Sequence, residues 1–340
     1  MADNQLSQPA VNSSSTTTTS IDPYELLYIV YNSDDDSLTR LVSVPSTPST
    51  DDPNCKDIPL NIQHKTSIRL FRPTQQSSLN DHFSVTKKLP LIIYFHGGGF
   101  ILCSAASSYE HDFCKYMATQ LPCLVVSVDY RLAPENRLPA AYDDGMDAVN
   151  WVRNQALDAI NGEKWLRDYA DFSKCFIMGC SSGANIAYHA GVRALELNLE
   201  PELKISGLIL NQPFIGGSER TGSEIRLIND PVLPLAMTDM KWELALPRGA
   251  NRDHMYCNPM VDDVTRGGNK VGLMRMRCLV VGCDGDPLID RQVEFVKRLE
   301  GKGVKVETWM EEGGSHGMFF FDPKKAEILF GKLKEFISIQ

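Results

Sequence analysis

One serine of this chain lies in a setting typical of a reactive nucleophile. Ser181 has Gly179 and Gly183 two residues to either side of it. The short apolar run at 175–178 predicts a buried strand before the serine, and the small and apolar residues after it predict a helix. A sharp turn between strand and helix strains the serine backbone and leaves no room for neighbouring side chains, which explains the two glycines. The alternative is a surface serine that glycines flank by chance.

A serine hydroxyl is almost wholly protonated at neutral pH, so it needs a base before it can attack. His316 is the best candidate among the seven histidines, because it follows the strand predicted at 304–309 and lies in the small-residue run 313–317. Such a loop lets an imidazole reach across the edge of a sheet. His96 is the rival, although its place before a glycine run indicates that it holds that loop. For His316 the alternative is a surface histidine.

The base in turn needs a carboxylate that orients it and stabilises its charged form. Asp284 and Asp286 both follow the strand predicted at 278–282. We prefer Asp286, because Pro287 fixes the backbone directly after it and favours a rigidly aimed side chain. Asp284 stays open as the alternative. The order serine, aspartate, histidine along the chain is the one associated with α/β-hydrolases and not with the other serine-triad folds.

Three consecutive glycines begin after the apolar run 91–95 and His96. Glycines in this position can turn several backbone N–H groups toward one point, where they stabilise the negative oxygen of an acyl-transfer intermediate. We expect Gly97 and Gly98, with the N–H of Ser182, to form this oxyanion hole. A flexible linker is the alternative, but a linker would not lie between an aromatic β run and the apolar residues 100–102.

Apolar runs predict the strands that position these groups. A continuous apolar run at 91–95 is typical of a strand buried on both faces, and further strands are predicted at 123–129, 175–178, 205–210, 278–282 and 304–309. An alternating run at 66–71 predicts a half-exposed strand. Helical patterns intervene, so we expect an α/β fold with a mostly parallel central sheet and helices on both faces. Residues 216–263 interrupt the alternation and predict a helical cap, together with the N-terminal segment.

Length and charge narrow the function classes. The chain has 340 residues, 43% of them apolar, and predicts a single domain over residues 21–340. Its net charge of −9 argues against nucleic acid or an anionic membrane as a partner. No apolar stretch is long enough for a transmembrane helix. The polar, Ser- and Thr-rich residues 1–20 predict a disordered tail and no secretory signal. The nine cysteines lack zinc or redox spacing and favour a reducing, cytoplasmic location.

Taken together, four motifs resemble those of the hormone-sensitive-lipase branch of the α/β-hydrolase fold, and within it the chain is similar to plant carboxylesterases. The motifs are His-Gly-Gly-Gly-Phe at 96–100, Asp-Tyr-Arg-Leu-Ala-Pro-Glu at 129–135, Gly-Cys-Ser-Ser-Gly at 179–183 and Asp-Pro-Leu at 286–288. The similarity runs from about residue 22 to the C-terminus. It implies the same triad and oxyanion groups, a cap from the N-terminal helices and residues 216–263, and a structural role for the 129–135 motif.

Two residues beside the nucleophile depart from the pattern of that family. The residue before the nucleophile is usually acidic there, and here it is Cys180. The residue after the second glycine of the turn is commonly glycine, and here it is Ala184. Both changes can alter the shape and electrostatics of a pocket, and neither removes a catalytic group.

The resemblance implies a serine carboxylesterase that works through an acyl-enzyme, and we expect short-acyl esters, acetyl esters above all, of small apolar plant metabolites as substrates. A lyase or cyclase of plant specialised metabolism is the alternative, although such relatives typically alter the nucleophile or the oxyanion loop. A hormone receptor is disfavoured, because the plant gibberellin receptor lacks the working histidine. No cofactor or metal is expected, since each chemical role has a protein group. The residues expected to bind the small-molecule ester are Ile101, Leu102, Phe214, Met318 and Phe319.

Overall fold

The computed structural model describes residues 22–74, 88–261 and 276–339. The tail predicted over residues 1–20 lies outside this part of the chain, as do the last two residues of the predicted insertion, 262 and 263. The strands of the described residues are β1 (Ile29–Asn32), β2 (Ser37–Arg40), β3 (Cys55–Asn61), β4 (Thr66–Phe71), β5 (Leu89–Phe95), β6 (Leu124–Asp129), β7 (Ala170–Cys180), β8 (Ile205–Asn211), β9 (Arg277–Cys283) and β10 (Lys305–Glu311).

Eight of these strands form one sheet, in the order β10-β9-β8-β7-β5-β6-β4-β3, while β1 and β2 pair separately. The strands from β5 to β10 pair in parallel, and β4 and β3 add antiparallel at one edge. This confirms the mostly parallel sheet. Because the carboxyl ends of parallel strands meet at one edge, the loops after β5, β7, β9 and β10 lie side by side there.

Helices cover both faces of the sheet, as the sequence predicts. They are α1 (Pro23–Leu26), α2 (Ser108–Gln120), α3 (Ala140–Leu157), α4 (Lys164–Tyr169), α5 (Ser182–Ala194), α6 (Gly222–Arg226), α7 (Leu235–Ala245), α8 (Ile289–Gly301), α9 (Met318–Phe321) and α10 (Pro323–Ser338). Among the described helices, none is both long and apolar enough to cross a membrane. The helices α6 and α7 belong to the predicted insertion.

Strand β5 shows how the core is divided, because successive residues of a strand point to opposite faces of the sheet. Ile93 and Phe95 pack in the apolar cluster that contains residues of α3 and α5. Ile92 and Tyr94 pack in the cluster that contains residues of α2 and α10. All four side chains are fully buried, as expected for a continuous apolar run. The sheet is therefore held between two apolar layers.

The sequence missed or misjudged some elements. β3 was not predicted, because Pro59 interrupts a run of mixed character at the edge of the sheet. α2 was not predicted, because its buried face includes Glu110 and His111 and so lacks a clear apolar stripe. β4 has the predicted bounds but is mostly buried rather than half exposed, since Arg69 lies inside the fold and binds Asp57 at 2.7 Å.

The 129–135 motif has the structural role that the resemblance implies. Arg131 forms an ion pair with the fully buried Asp144 of α3, with 2.8 Å between Nη2 and Oδ1, and its backbone N–H donates to the same carboxylate at 2.8 Å. Tyr130 stacks on His96 and donates its hydroxyl to the His96 carbonyl at 2.9 Å. The motif thereby ties α3 and the glycine loop to the end of β6.

The adjacent acids Asp143 and Asp144 provide a matched test of this ion pair. Removing the charge of a buried partner leaves the other charge uncompensated, so Asp144→Asn should lower the free energy of unfolding by about 3–5 kcal/mol. Asp143 is 54% exposed and pairs with Arg193 at the surface, so Asp143→Asn should change it by less than about 1 kcal/mol. Urea denaturation measures both, and equal losses would contradict the buried role of Asp144.

Candidate active site

Ser181 occupies the turn between β7 and α5 with a backbone conformation that few residues other than glycine adopt. Its φ is 53° and its ψ −119°. A Cβ atom on Gly179 would lie 2.1 Å from the Gly183 carbonyl oxygen, and one on Gly183 would lie 2.0 Å from the Phe95 carbonyl oxygen. Side chains at these two positions are therefore impossible without moving the backbone, which is the steric reason that the sequence indicated for the two glycines.

The structure brings Ser181, His316 and Asp286 together, although 135 residues separate the serine from the histidine. The His316 Nε2 lies 2.8 Å from the Ser181 Oγ, and the His316 Nδ1 lies 2.8 Å from the Asp286 Oδ2. Asp286 is fully buried and His316 is 7% exposed. This geometry allows the imidazole to take a proton from the serine while the carboxylate orients the ring and stabilises its positive form.

Three further donors hold the Asp286 carboxylate. The Leu288 N–H donates to Oδ1 at 2.9 Å, and the side-chain amides of Gln292 and Gln212 lie 3.1 and 3.3 Å from Oδ2. Gln212 also binds the histidine loop, since its Oε1 accepts from the Gly317 N–H at 2.9 Å. The sequence analysis missed both glutamines. The only available signal was that Gln212 directly follows β8 at the carboxyl edge of the sheet.

Asp284 and His96, the alternatives to Asp286 and His316 in the sequence analysis, bind other groups. The Asp284 carboxylate is exposed and accepts a hydrogen bond from the Gly313 N–H at 2.6 Å, so it anchors the loop that carries His316. The His96 ring is buried, with Nδ1 2.8 Å from the Gly97 carbonyl oxygen and its face stacked on Tyr130. His96 therefore holds the glycine loop, as its position predicts. Neither side chain forms a hydrogen bond with Ser181 in the described structure.

The glycine loop differs from the expectation at one residue. The Gly97 N–H donates to the buried Glu110 carboxylate at 3.0 Å, so it is already engaged and does not suit the oxyanion role assigned to it. Gly98 and Gly99 have φ values of 109° and 66°. Within the described chain the N–H groups of Gly98, Gly99 and Ser182 donate to no protein acceptor. The Ser182 N–H also lies at the N-terminus of α5, where the helix dipole favours negative charge.

The apolar residues expected to bind substrate lie in different surroundings. Phe214 is fully buried and stacks on Trp242 of α7, with 4.7 Å between ring centroids. Met318 lies against the histidine loop, since a Cβ atom on Gly314 would come within 2.2 Å of its sulfur. Phe319 packs on Trp309 in the apolar layer beneath α2 and α10, which does not favour contact with substrate. Ile101 is fully buried and Leu102 is half-buried.

Helix α7 covers the glycine loop with a lysine. A Cβ atom on Gly99 would lie 2.4 Å from the Lys241 Cδ, so the aliphatic stem rests on the loop. Lys241 is 8% exposed, and in the described chain no carboxylate pairs with it. Burial lowers the pKa of its amine to about 8, partly opposed by nearby Cys103. A fall from the usual value of 10.5 corresponds to a destabilisation of about 3 kcal/mol for the charged form.

Lys241→Met should therefore stabilise the fold at pH 7 by up to about 3 kcal/mol, because methionine keeps the aliphatic packing and removes the buried charge. The folded amine has a lower pKa than the unfolded one. The destabilisation by Lys241 is thus complete below pH 8 and disappears as the pH rises toward 10.5. The stability gap between variant and wild type should narrow over that range, as measured by denaturant unfolding at pH 7, 8 and 9.5.

Lys115 is the matched control, because the Asp52 carboxylate raises the pKa of its amine and lies 3.0 Å from it. Lys115→Met should lower the stability at pH 7, since it removes the ammonium group that faces the buried Asp52 carboxylate. A Lys241→Met variant that is less stable than the wild type at pH 7 would contradict the role of the buried amine.

Comparisons with known proteins identify the family of this chain. The family model described as alpha/beta hydrolase fold matches residues 92–320. A 3-O-acetylpapaveroxine carboxylesterase of Papaver somniferum is 59% identical over 93% of this chain and 99% of its own length. A probable carboxylesterase of Arabidopsis thaliana is 46% identical over 94% of each chain. A solved esterase of Pyrobaculum calidifontis is 25% identical and superposes with a TM-score of 0.66 over 84% of each chain. The chain therefore belongs to the α/β-hydrolase family, in the hormone-sensitive-lipase branch that contains the plant carboxylesterases.

Proposed function

We propose that this carboxylesterase hydrolyses short-acyl esters, acetyl esters above all, of small apolar plant metabolites through an acyl-enzyme. The observation that carries the proposal is the continuous hydrogen-bonded line from the Ser181 hydroxyl through the His316 ring to the buried Asp286 carboxylate. Covalent catalysis on an ester needs a serine nucleophile, a base that removes its proton and a group that orients the base.

In the first half-reaction the Ser181 Oγ attacks the ester carbonyl carbon while the His316 Nε2 accepts its proton. The carbonyl oxygen becomes negative in the tetrahedral intermediate. We assign its stabilisation to the N–H groups of Gly98, Gly99 and Ser182, because the Gly97 N–H is engaged with Glu110. When the intermediate collapses, the His316 imidazolium gives its proton to the leaving alcohol, and the acyl group stays on Ser181.

In the second half-reaction a water molecule loses a proton to the His316 Nε2 and attacks the acyl-enzyme. The same N–H groups stabilise the second intermediate, which releases the carboxylic acid and restores Ser181. Throughout, Asp286 remains ionised and stabilises the imidazolium, while Gln212 and Gln292 keep its carboxylate in place. Every proton transfer in these two half-reactions has a donor and an acceptor within the triad, the substrate or water.

Two observations support the acyl group and the substrate class. The relatives that are 59% identical include a carboxylesterase named for an acetylated substrate, 3-O-acetylpapaveroxine. The Phe214 N–H donates to the Ser181 carbonyl oxygen and Met318 lies against the histidine loop, so the surroundings of the triad are apolar, which favours an apolar substrate. We propose a role in plant specialised metabolism on the same grounds. We also propose the cytoplasm as its location, because all nine cysteines are free thiols, which persist in a reducing compartment.

Substitution of the triad tests the mechanism with p-nitrophenyl acetate as substrate. Ser181→Ala should lower kcat by about 10⁴-fold or more, because the alanine has no nucleophile. Asp286→Asn should lower kcat by about 10³- to 10⁴-fold, because an amide favours the wrong histidine tautomer. Asp284→Asn is the matched control, and it should retain most of the activity because the asparagine amide oxygen still accepts the Gly313 N–H.

The pre-steady state distinguishes the acyl-enzyme from direct attack by water. A burst of p-nitrophenol equal to the enzyme concentration is expected, together with an acetyl adduct on Ser181 in mass spectra of the quenched enzyme. Activity that survives Ser181→Ala would contradict the nucleophile. A correctly folded wild type that turns over no ester would favour the lyase, cyclase or receptor alternatives.

The acyl preference is tested with p-nitrophenyl esters of increasing chain length and with acetylated plant metabolites. We expect kcat/KM to fall by at least about tenfold from the acetate to the octanoate, because a pocket that fits an acetyl group lacks room for six further methylenes and one misfit methylene costs about 1–3 kcal/mol. Release of acetate from acetylated alkaloids or other apolar metabolites is measured by mass spectrometry. A higher kcat/KM with the octanoate than with the acetate would contradict the proposed acyl group.

A further inference from the structure

The first turn of α2 places a carboxylate behind the glycine loop. Glu110 is fully buried, and its two oxygens accept hydrogen bonds from the Tyr94 hydroxyl at 2.8 Å and from the Gly97 N–H at 3.0 Å. No basic side chain of the described residues neutralises it. A buried carboxylate without a cation is unfavourable, so its presence calls for an explanation other than stability.

The carboxylate lies close to the nucleophile. A Cβ atom on Gly97 would lie 3.5 Å from the Ser181 Cβ and 3.7 Å from the Glu110 Oε1. Gly97 therefore separates the Ser181 side chain from the carboxylate. The Gly97 N–H points toward Glu110, which fixes the orientation of the peptide between His96 and Gly97. The amides of Gly98 and Gly99 come next along the chain.

We propose that Glu110 is a positioning residue for the oxyanion loop, which it holds by accepting the Gly97 N–H so that the Gly98 and Gly99 N–H groups remain available to the substrate. This inference rests on the proposed esterase mechanism. Glu110 does not touch the substrate. It acts through one hydrogen bond, which it accepts from the Gly97 backbone. Glycines have no side chain that could supply this acceptor.

The surroundings of Glu110 indicate that it serves as an acceptor rather than as a charge. The titratable groups around it are neutral at pH 7: Tyr94, Tyr109, Tyr130, Cys103, Cys114 and Cys180. Without a compensating cation, burial raises the pKa of Glu110 to about 7. The protonated form still offers a carbonyl oxygen to Gly97. The ionised form adds a negative charge behind the loop, which opposes the negative oxygen that develops during the reaction.

Glu110→Gln and Glu110→Leu separate these roles. Glutamine keeps an acceptor for Gly97 and can donate to the Tyr94 oxygen, so at pH 6 its kcat on p-nitrophenyl acetate should stay within about threefold of the wild type. Leucine removes the acceptor, so kcat should fall by about 10- to 100-fold with little change in KM. A trifluoromethyl ketone, which forms a negative tetrahedral adduct with the serine, should lose affinity for Glu110→Leu to a similar extent.

The pH dependence supplies a readout that does not need the leucine variant to fold. Because Gln cannot ionise, the ratio of the Glu110→Gln kcat to the wild-type kcat should rise as the pH increases from 6 to 9. Asp112→Asn, which removes an exposed carboxylate from the same helix, should give a ratio that does not change with pH.

Several outcomes would overturn the proposal. One is a folded Glu110→Leu variant with wild-type kcat, and another is a Glu110→Gln variant as impaired at pH 6 as the leucine variant. A Glu110→Gln ratio that stays constant from pH 6 to 9 would contradict the inference that the ionised carboxylate opposes the negative oxygen of the intermediate. The wild-type enzyme and Ser181→Ala are assayed alongside, so that loss of the whole esterase mechanism is distinguished from loss of the Glu110 role.

Discussion

The backbone contact between the end of β5 and the first turn of α5 is the constraint on which the site depends. The Phe95 carbonyl oxygen and Gly183 approach so closely that a Cβ atom would lie within 2.0 Å of that oxygen. Only residues without side chains permit this approach. It places the Ser181 hydroxyl beside the glycine loop that follows β5, so that the proposed nucleophile and the N–H groups of this loop lie next to each other.

Three buried carboxylates around this contact are stabilised in three ways. Asp144 has an arginine and a backbone amide, and its function is structural. Asp286 has a histidine, two side-chain amides and a backbone N–H, which leave its charge available to the imidazole. Glu110 has one hydroxyl and one N–H and no cation. The compensation of negative charge thus differs with the role of the residue. It is greatest for the structural Asp144 and smallest for Glu110, the proposed positioning residue.

The two departures from the family pattern beside the nucleophile are accommodated by burial. The Cys180 thiol accepts a hydrogen bond from the Asn211 side-chain amide at 2.8 Å, and burial raises its pKa to about 12, so it is a neutral group. Ala184, in the first turn of α5, is fully buried in the apolar layer between the sheet and this helix. Both residues face the interior of the fold, and their substitution changes the environment of the turn rather than the groups that the proposed mechanism uses.

The sequence by itself determined the strands β4 to β10, the turn at Ser181 and the loops that carry His316 and Asp286, because apolar runs and glycines report on local structure. The tertiary structure alone decided hydrogen-bond partners. It showed that Gly97 donates to Glu110, on a helix whose polar buried face hid it from the sequence. It also brought Gln212 and Lys241 to the site. Hydrogen-bond partners depend on which residues lie close together in space. For residues far apart along the chain, the local sequence does not show this proximity.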